Sequence, residues 1–135
     1  MAEVRLEQIG KNFGDTAAVS SLDLTIGNGE FVVLLGPTGA GKTTTLRLIA
    51  GLEKPDHGRI SIGGVDATSK SPAERNVAFV FQQYSLYPHL SVFENLAFPL
   101  RSPVRRVDEV TIRQSVERVA RLLRIEQKLN NRATR

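Results

Sequence analysis

The chain has no cysteine and no tryptophan, a single methionine and only two histidines among its 135 residues. Without thiols there are no disulfides and no thiolate metal sites, and His57 and His89 stand too far apart in sequence to suggest a ligand pair. Long apolar runs are missing too. No stretch approaches the roughly 18 apolar residues of a membrane-spanning helix, and the first five residues lack the basic and then apolar opening of a secretory signal. A cytoplasmic location is the expectation. Aromatics are few, six Phe and two Tyr, and none follows Phe98. That gap bears on the charge. Residues 1–100 carry eight Lys/Arg against ten Asp/Glu, whereas residues 101–135 carry ten against four. A basic tail of this kind can serve nucleic acid, but it lacks the aromatic platforms on which single strands stack. A solvated or partner-facing helix is the expected use of the tail, and no nucleic acid is expected as a partner.

What the chain does have is an apolar run, residues 31–35, that stops at a glycine-rich turn and restarts as a helix over residues 44–50. The turn reads G-x-x-x-x-G-K-T from Gly36 to Thr43. Gly36, Gly39 and Gly41 open backbone conformations closed to residues with a Cβ, so that successive N–H groups can curl around an anion. Lys42 adds a point charge able to reach β- and γ-phosphates, Thr43 a hydroxyl for Mg²⁺, and the start of the helix a set of amides without acceptors. A strand before the loop and a helix after it are the setting this Walker A motif requires.

The rest of the chain divides at its turn residues. Residues 3–9 suit a short edge strand, although their alternation is imperfect, and Lys11, Asn12, Phe13 and Gly14 read as a turn. Residues 17–26 alternate cleanly at Leu22, Leu24 and Ile26, which makes the first thirty residues an antiparallel layer. Leu46, Ile49 and Ala50 mark the apolar side of the P-loop helix, and Gly51 ends it. Residues 59–62 form a short strand. Ser71 and Glu74 have capping-box spacing around Pro72, with room for one helical turn, and residues 76–81 have the composition of a buried parallel strand. Residues 82–90 read as a loop. Ser91 and Glu94 open a second capped helix that Pro99 closes, and Asp108 complements the dipole of a third. On that third helix Ile112, Val116, Val119, Ala120 and Leu123 share one face. Residues 130–135 carry no signal.

Residues 80–98, Val-Phe-Gln-Gln-Tyr-Ser-Leu-Tyr-Pro-His-Leu-Ser-Val-Phe-Glu-Asn-Leu-Ala-Phe, closely resemble the Q-loop region of ATP-binding cassette (ABC) transporter ATPases. The likeness extends to residues 11–14 as an adenine-stacking A-loop, residues 35–44 as the Walker A segment and residues 58–64 as the strand after it. Ser71, Pro72, Ala73, Glu74 and Arg75, together with Tyr87, Pro88 and His89, are most similar to the carbohydrate importers of the maltose and glycerol-phosphate type. This resemblance implies an α/β P-loop NTPase fold of the RecA-like kind, with ATP and Mg²⁺ as cofactors. It implies a nucleotide site made of Phe13 on the adenine and Gly36, Pro37, Thr38, Gly39, Ala40, Gly41, Lys42, Thr43 and Thr44 around the phosphates. Thr43 and Gln82 would ligate Mg²⁺, and Gln82 and Lys42 would take the catalytic roles. Residues 84–96, from Tyr84 to Leu96, would face the membrane-spanning permease subunits, with a second ATPase subunit completing a dimer at the cytoplasmic face of the membrane. Packing is an equal reading for Tyr84, Leu86 and Tyr87, and Phe13 by itself reads as well as a packed turn aromatic.

By the same resemblance, residues 1–98 form the ATP-binding core and residues 99–135 begin a helical subdomain. The family's L-S-G-G-Q signature, its Walker B strand with the following glutamate and its switch histidine do not occur in the 135 residues. The chain is therefore expected to be the N-terminal half of an ATPase domain, inactive in hydrolysis by itself and poorly stable. Asp108 and Glu109, the one acidic pair beside an apolar residue, are expected to start a helix rather than end a buried strand. Two other readings stay open: a non-catalytic nucleotide-binding or regulatory module, and a P-loop ATPase associated with nucleic acid through the basic tail.

Overall fold

Strand β1 (Val4–Phe13) runs into a two-residue turn at Gly14 and Asp15 and returns as β2 (Thr16–Ile26), pairing Phe13 with Thr16, Leu6 with Leu24 and Val4 with Ile26. The computed structural model describes residues 2–82, 85–103, 105 and 107–133. Two units make up the chain, residues 1–79 and residues 80–135. The sequence division into residues 1–98 and 99–135 follows functional segments and does not coincide with this boundary.

In the first unit, β3 (His57–Ile62) pairs antiparallel with the free side of β1, and Gly63 and Gly64 turn the chain into the short β4 (Val65–Asp66). The sheet order is β2-β1-β3-β4. β1 is therefore internal, not the edge strand expected from its sequence, and it extends through Lys11, Asn12 and Phe13, which were expected to form the turn. Its imperfect alternation has a physical cause. Gln8 takes a positive φ of 49° at a break in the register between Leu6 and Ile9, which puts Leu6 and Ile9 on the same face although they are three residues apart. Ser21 does the same in β2, at φ 45°, so that Val19 and Leu22 both turn toward the core. The two irregularities are tied together, since the Gln8 amide donates to Asp23 Oδ1 at 2.7 Å and the Gln8 side-chain amide to the other oxygen.

Helix α1 (Lys42–Ala50) ends at Gly51, whose φ of 77° lets its amide cap the last turn. Leu6, Ile9, Val19, Leu48 and Ile60 form the buried cluster of this unit. Leu48, at 0 % exposure, is the helix's anchor, whereas Leu46, expected on the apolar side, is 47 % exposed. The shift follows from Thr45. Its hydroxyl donates to Gly41 O at 3.0 Å, so the side chain is buried with its polarity satisfied and the buried stripe runs through residues 45 and 48.

The expectation of strands at residues 31–35 and 76–81 differs from the structure. Neither run belongs to a ladder in the described residues, and Phe31, Leu35 and Val80 are 88 % exposed or more. The sheet observed is antiparallel throughout, and its members are the strands named above. An apolar run becomes a strand only where a neighbouring backbone accepts its hydrogen bonds, and composition alone does not supply one.

In the second unit, α2 (Val92–Ala97) passes into a 3-10 turn across Pro99 (Phe98–Arg101), and α3 (Glu109–Leu123) follows. Ser91 and Glu94 form the expected capping box, with the Ser91 amide donating to Glu94 Oε2 at 2.7 Å and the Glu94 amide to Ser91 Oγ at 3.1 Å. Ala97, Ile112 and Val116 are buried together, lined by Phe93, Leu96, Leu100, Val107 and Leu129. Of the expected α3 face, Ile112, Val116 and Ala120 are buried, while Val119 and Leu123 lie at its exposed margin. Residues 129–133, of which those from 130 onward carry no signal in the sequence, lie along the start of α2: Val92 N donates to Asn131 O and Phe93 N to Leu129 O, both at 2.9 Å. The capping box of the first unit is present as well, on the single turn Pro72–Arg75.

Replacing Leu48 by Ala should remove about 2–5 kcal/mol of unfolding free energy, a loss of buried contact plus the cavity left behind. Leu46→Ala should stay within about 0.5 kcal/mol. Urea unfolding followed by circular dichroism checks the pair, and equal losses would contradict the seating of α1 described above.

Candidate functional site

The Walker A segment is shaped by backbone before any side chain acts. Gly36, Gly39 and Gly41 have φ of 155°, 84° and 78°, all in the region that favours glycine. Gly41 is also a contact residue, because a Cβ there would come within 2.2 Å of Ala18 O and 3.3 Å of the Val19 side chain. The end of the loop is thus pressed onto the beginning of β2, at Ala18 and Val19. It is at this point that α1 starts, and Gly41, having no side chain, supplies no cap to the first turn, which also contains no acidic residue. The amides of residues 42, 43 and 44 have no carbonyl one turn behind them in the helix, and the partial positive charge of the helix start stands over them.

Lys42 Nζ folds back across the loop and donates to Gly36 O at 2.8 Å and Pro37 O at 2.7 Å. The ammonium therefore lies over the same turn whose amides face outward at the start of α1. Thr43 is exposed and Thr44 half-buried beside it. Positive-φ turns, an uncapped helix start and a lysine ammonium form a donor set for a polyphosphate, and the hydroxyl of Thr43 is open to a divalent cation. Among the described residues there is no group of three or more His, Asp or Glu side chains able to hold a metal by themselves. Mg²⁺ here fits only as a partner of phosphate oxygens.

Phe13 ends β1 beside Gly14 and Asp15, on the same hairpin whose second strand receives Gly41 at Ala18. It is half-exposed, and Lys11 Nζ sits 5.4 Å from its ring centre. Asp56 holds this strand end: it accepts from Asn12 N at 2.7 Å and from Lys11 Nζ at 3.3 Å. The Asn12 amide first, and then Lys11, keep the Asp56 carboxyl below the usual carboxylate range. Sequence reasoning read residues 11–14 as a turn and missed Asp56, whose role depends on a contact 44 residues away.

Gln82 is exposed and lies in the second unit. Gln83 and Tyr84 fall outside the described residues. Leu86 is exposed, and Tyr87 is partly covered, with its ring 4.5 Å from that of Phe98 and 6.2 Å from that of His89. Asn95 holds this segment onto α2: its Oδ1 accepts from Tyr87 N at 2.8 Å, and its Nδ2 donates to Tyr87 O, Leu90 O and Ser91 O at 3.1, 3.3 and 2.9 Å. No sequence motif singled out Asn95. The acidic pair is a helix start, as expected. Asp108 accepts from the Thr111 hydroxyl at 2.6 Å and its amide at 2.9 Å, which lowers its pKa, and Glu109 is lowered by its pairing with Arg101 at 2.9 Å.

The loop, the helix it opens and the lysine folded over it define a phosphate-binding P-loop of the NTPase class. The more particular assignment comes from comparison. A family profile described as ABC transporter matches residues 19–135, and the chain belongs to that family. The trehalose/maltose import ATP-binding protein MalK of Thermococcus litoralis is 48% identical over 138 residues, covering 98% of this chain and 37% of that protein. The sulfate/thiosulfate import ATP-binding protein CysA of Methylococcus capsulatus is 49% identical, covering 91% of this chain and 36% of that protein. The spermidine/putrescine import ATP-binding protein PotA of Acetivibrio thermocellus is 47% identical, covering 87% and 33%. The chain thus spans about a third of the length of these curated relatives.

Among solved structures, a dimeric ATP-binding cassette in a post-hydrolysis state with ADP and Pi superposes with a TM-score of 0.82 at 28% identity, covering 96% of this chain and 61% of that one. A nucleotide-free ATP-binding cassette from an ABC transporter gives 0.79 at 26%, covering 98% and 58%. The fold is that of the ATP-binding cassette, a P-loop NTPase, represented here in part.

The two glycines separate conformational from steric cost. Gly39→Ala has open space around the new methyl group and should cost about 1–2 kcal/mol, the price of a Cβ at positive φ. Gly41→Ala adds a collision with Ala18 O and should destabilise more, with loss of phosphate affinity. Chemical denaturation of both variants gives the ranking, and the reverse order would contradict the seating of the loop on β2.

Proposed function

We propose that this chain binds Mg·ATP as the nucleotide-binding part of the ATP-hydrolysing subunit of an ABC importer. The observation that carries the reading is the position of Lys42 Nζ over the Gly36 and Pro37 carbonyls, beside the uncapped start of α1. In this reading the loop from Gly36 through Pro37, Thr38, Gly39 and Ala40 to Gly41 surrounds the phosphates with amides, and Lys42 exchanges its two carbonyl acceptors for phosphate oxygens. Thr43 holds Mg²⁺ through its hydroxyl, with Thr44 adding its amide to the same anion site. Mg²⁺ supplies neutralisation of phosphate charge when bound. Phe13 stacks on adenine, its half-exposed ring held by the strand end that Asp56 pins. Gln82 is read, on the likeness of residues 80–98 to the Q-loop, as a ligand of Mg²⁺ or the residue that orients the attacking water.

The importer's cargo is read as a carbohydrate, on the likeness of residues 71–75 and 87–89 to that subfamily. The relatives named for trehalose/maltose, sulfate/thiosulfate and spermidine/putrescine are nearly equal in identity, so the cargo reading rests on those residues alone. The partners are permease subunits in the membrane, received by residues 84–96, and a second ATPase subunit. The reading puts the chain peripherally at the cytoplasmic face of the membrane, on its likeness to import ATP-binding proteins; no helix of the described residues is long and apolar enough to cross a membrane. Turnover by the chain alone is expected at background, because the adjacent carboxylates Asp108 and Glu109 start a helix rather than end a buried strand beside the P-loop, where the family resemblance puts the general base.

Lys42→Ala should weaken Mg·ATP binding by tenfold or more, on the order of the loss of a charge-assisted phosphate contact, while Lys54→Ala leaves it unchanged. Equilibrium titration with a fluorescent ATP analogue measures both, and equal effects would remove the phosphate-binding role of the loop.

The two neighbouring glutamines are separated by turnover. In a chimera completed with the carboxyl-terminal part of a family member, Gln82→Ala should lower ATP hydrolysis and Gln83→Ala should act as a surface change. A sensitive Gln83 would move the site by one residue.

A further inference from the structure

Arg75 is 5 % exposed, and no carboxylate pairs with it among the described residues. Its guanidinium is spent on backbone carbonyls. One nitrogen, Nη1, donates to Leu48 O at 2.7 Å and Ile49 O at 3.0 Å, both in the last turn of α1. Nε donates to Lys70 O at 3.0 Å and Nη2 to Thr68 O at 3.2 Å. Gly51 makes room for this, since a Cβ there would come within 2.6 Å of Nε. An apolar side chain could fill the same space without desolvating a charge, and burial without an acidic partner does press the guanidinium toward its neutral form. What the arginine adds is direction: a planar fork tying the carboxyl end of α1 to the segment of residues 68–70. It also places a cation where the helix dipole is negative.

We propose that Arg75 is a positioning residue for the phosphate site, fixing the carboxyl end of α1 so that the amides of residues 42–44 at its other end are correctly aimed. The inference rests on the nucleotide-binding reading above. A nine-residue helix is about 13 Å long and moves as a rod, so a tilt released at Leu48 and Ile49 is delivered to Lys42. Small misplacements of donors at a charged ligand are costly even when their cause lies outside the ligand's contacts. Two residues unite in this device that the sequence had assigned elsewhere: Arg75 to a subfamily likeness and Gly51 to a plain helix stop.

The test compares Arg75→Met, Arg75→Lys and Gly51→Ala with the unchanged chain, titrating Mg·ATP and inorganic tripolyphosphate at a temperature where circular dichroism shows each variant folded. Arg75→Met is expected to weaken ATP and tripolyphosphate by the same factor, about tenfold. Arg75→Lys, which keeps a cation and some carbonyl contacts, is expected to recover part of that loss, and Gly51→Ala to reproduce it with the arginine still present. Should Arg75→Met fail to fold, the other two variants decide. Unchanged affinities in folded variants, or a loss confined to ATP and absent for tripolyphosphate, would overturn the positioning role while leaving the nucleotide reading intact. An unchanged chain that binds neither ligand would overturn both.

Discussion

The nine residues of α1 are constrained at three points, and the rest of the first unit depends on how those constraints agree. Gly41 presses the start of the helix onto Ala18 of β2, Leu48 packs against Leu6, Ile9, Val19 and Ile60 on the face of the sheet, and Arg75 holds the last carbonyls. The loop's glycines have meaning only within this frame. A phosphate nest needs amides that converge, and convergence is a property of where the helix is fixed as much as of the turn that precedes it.

Two apolar runs show what happens to sequence pattern when pairing fails to support it. Residues 31–35, made of Phe, Val and Leu, lie between β2 and the loop, and residues 76–81, rich in Val and Phe, follow the capped turn at Pro72–Arg75. Phe31, Leu35 and Val80 remain exposed. Runs of this kind are read as buried parallel strands because such strands are covered on both faces, but the reading presupposes neighbours on both sides. Large exposed apolar surface of this sort is what protein association and aggregation draw on.

The second unit is organised differently, around short-range caps and one long-range seam. Ser91 and Glu94 close the start of α2 from within four residues, and the carbonyls of Leu129 and Asn131 then accept from Phe93 and Val92. Asn95 fastens residues 87–91 to the same helix. The segment that carries Tyr87 and His89 is therefore held in shape by backbone contacts, leaving its aromatic rings half-exposed.

Features decided within three or four residues were legible from the sequence by itself. The two capping boxes, the glycine turn at Gly63 and Gly64, the glycine stop at Gly51, the acidic start of α3 at Asp108 and the Ile112, Val116 and Ala120 stripe of α3 all rest on local hydrogen bonds or on the helical repeat, and each is present, whereas the turn read at residues 11–14 moved to Gly14 and Asp15. Tertiary structure decided what depends on residues far apart in the chain. The positive-φ kinks at Gln8 and Ser21 reset which residues of β1 and β2 face inward, and β1 became internal because β3 arrived from beyond the helix. Leu48 displaced Leu46 from the core, Asp56 took hold of the strand end beside Phe13, and Arg75 found its acceptors 26 and 27 residues away. Periodicity records which side chains prefer burial, but a hydrogen bond or a packed contact between distant segments exists only once both ends have been brought together in space.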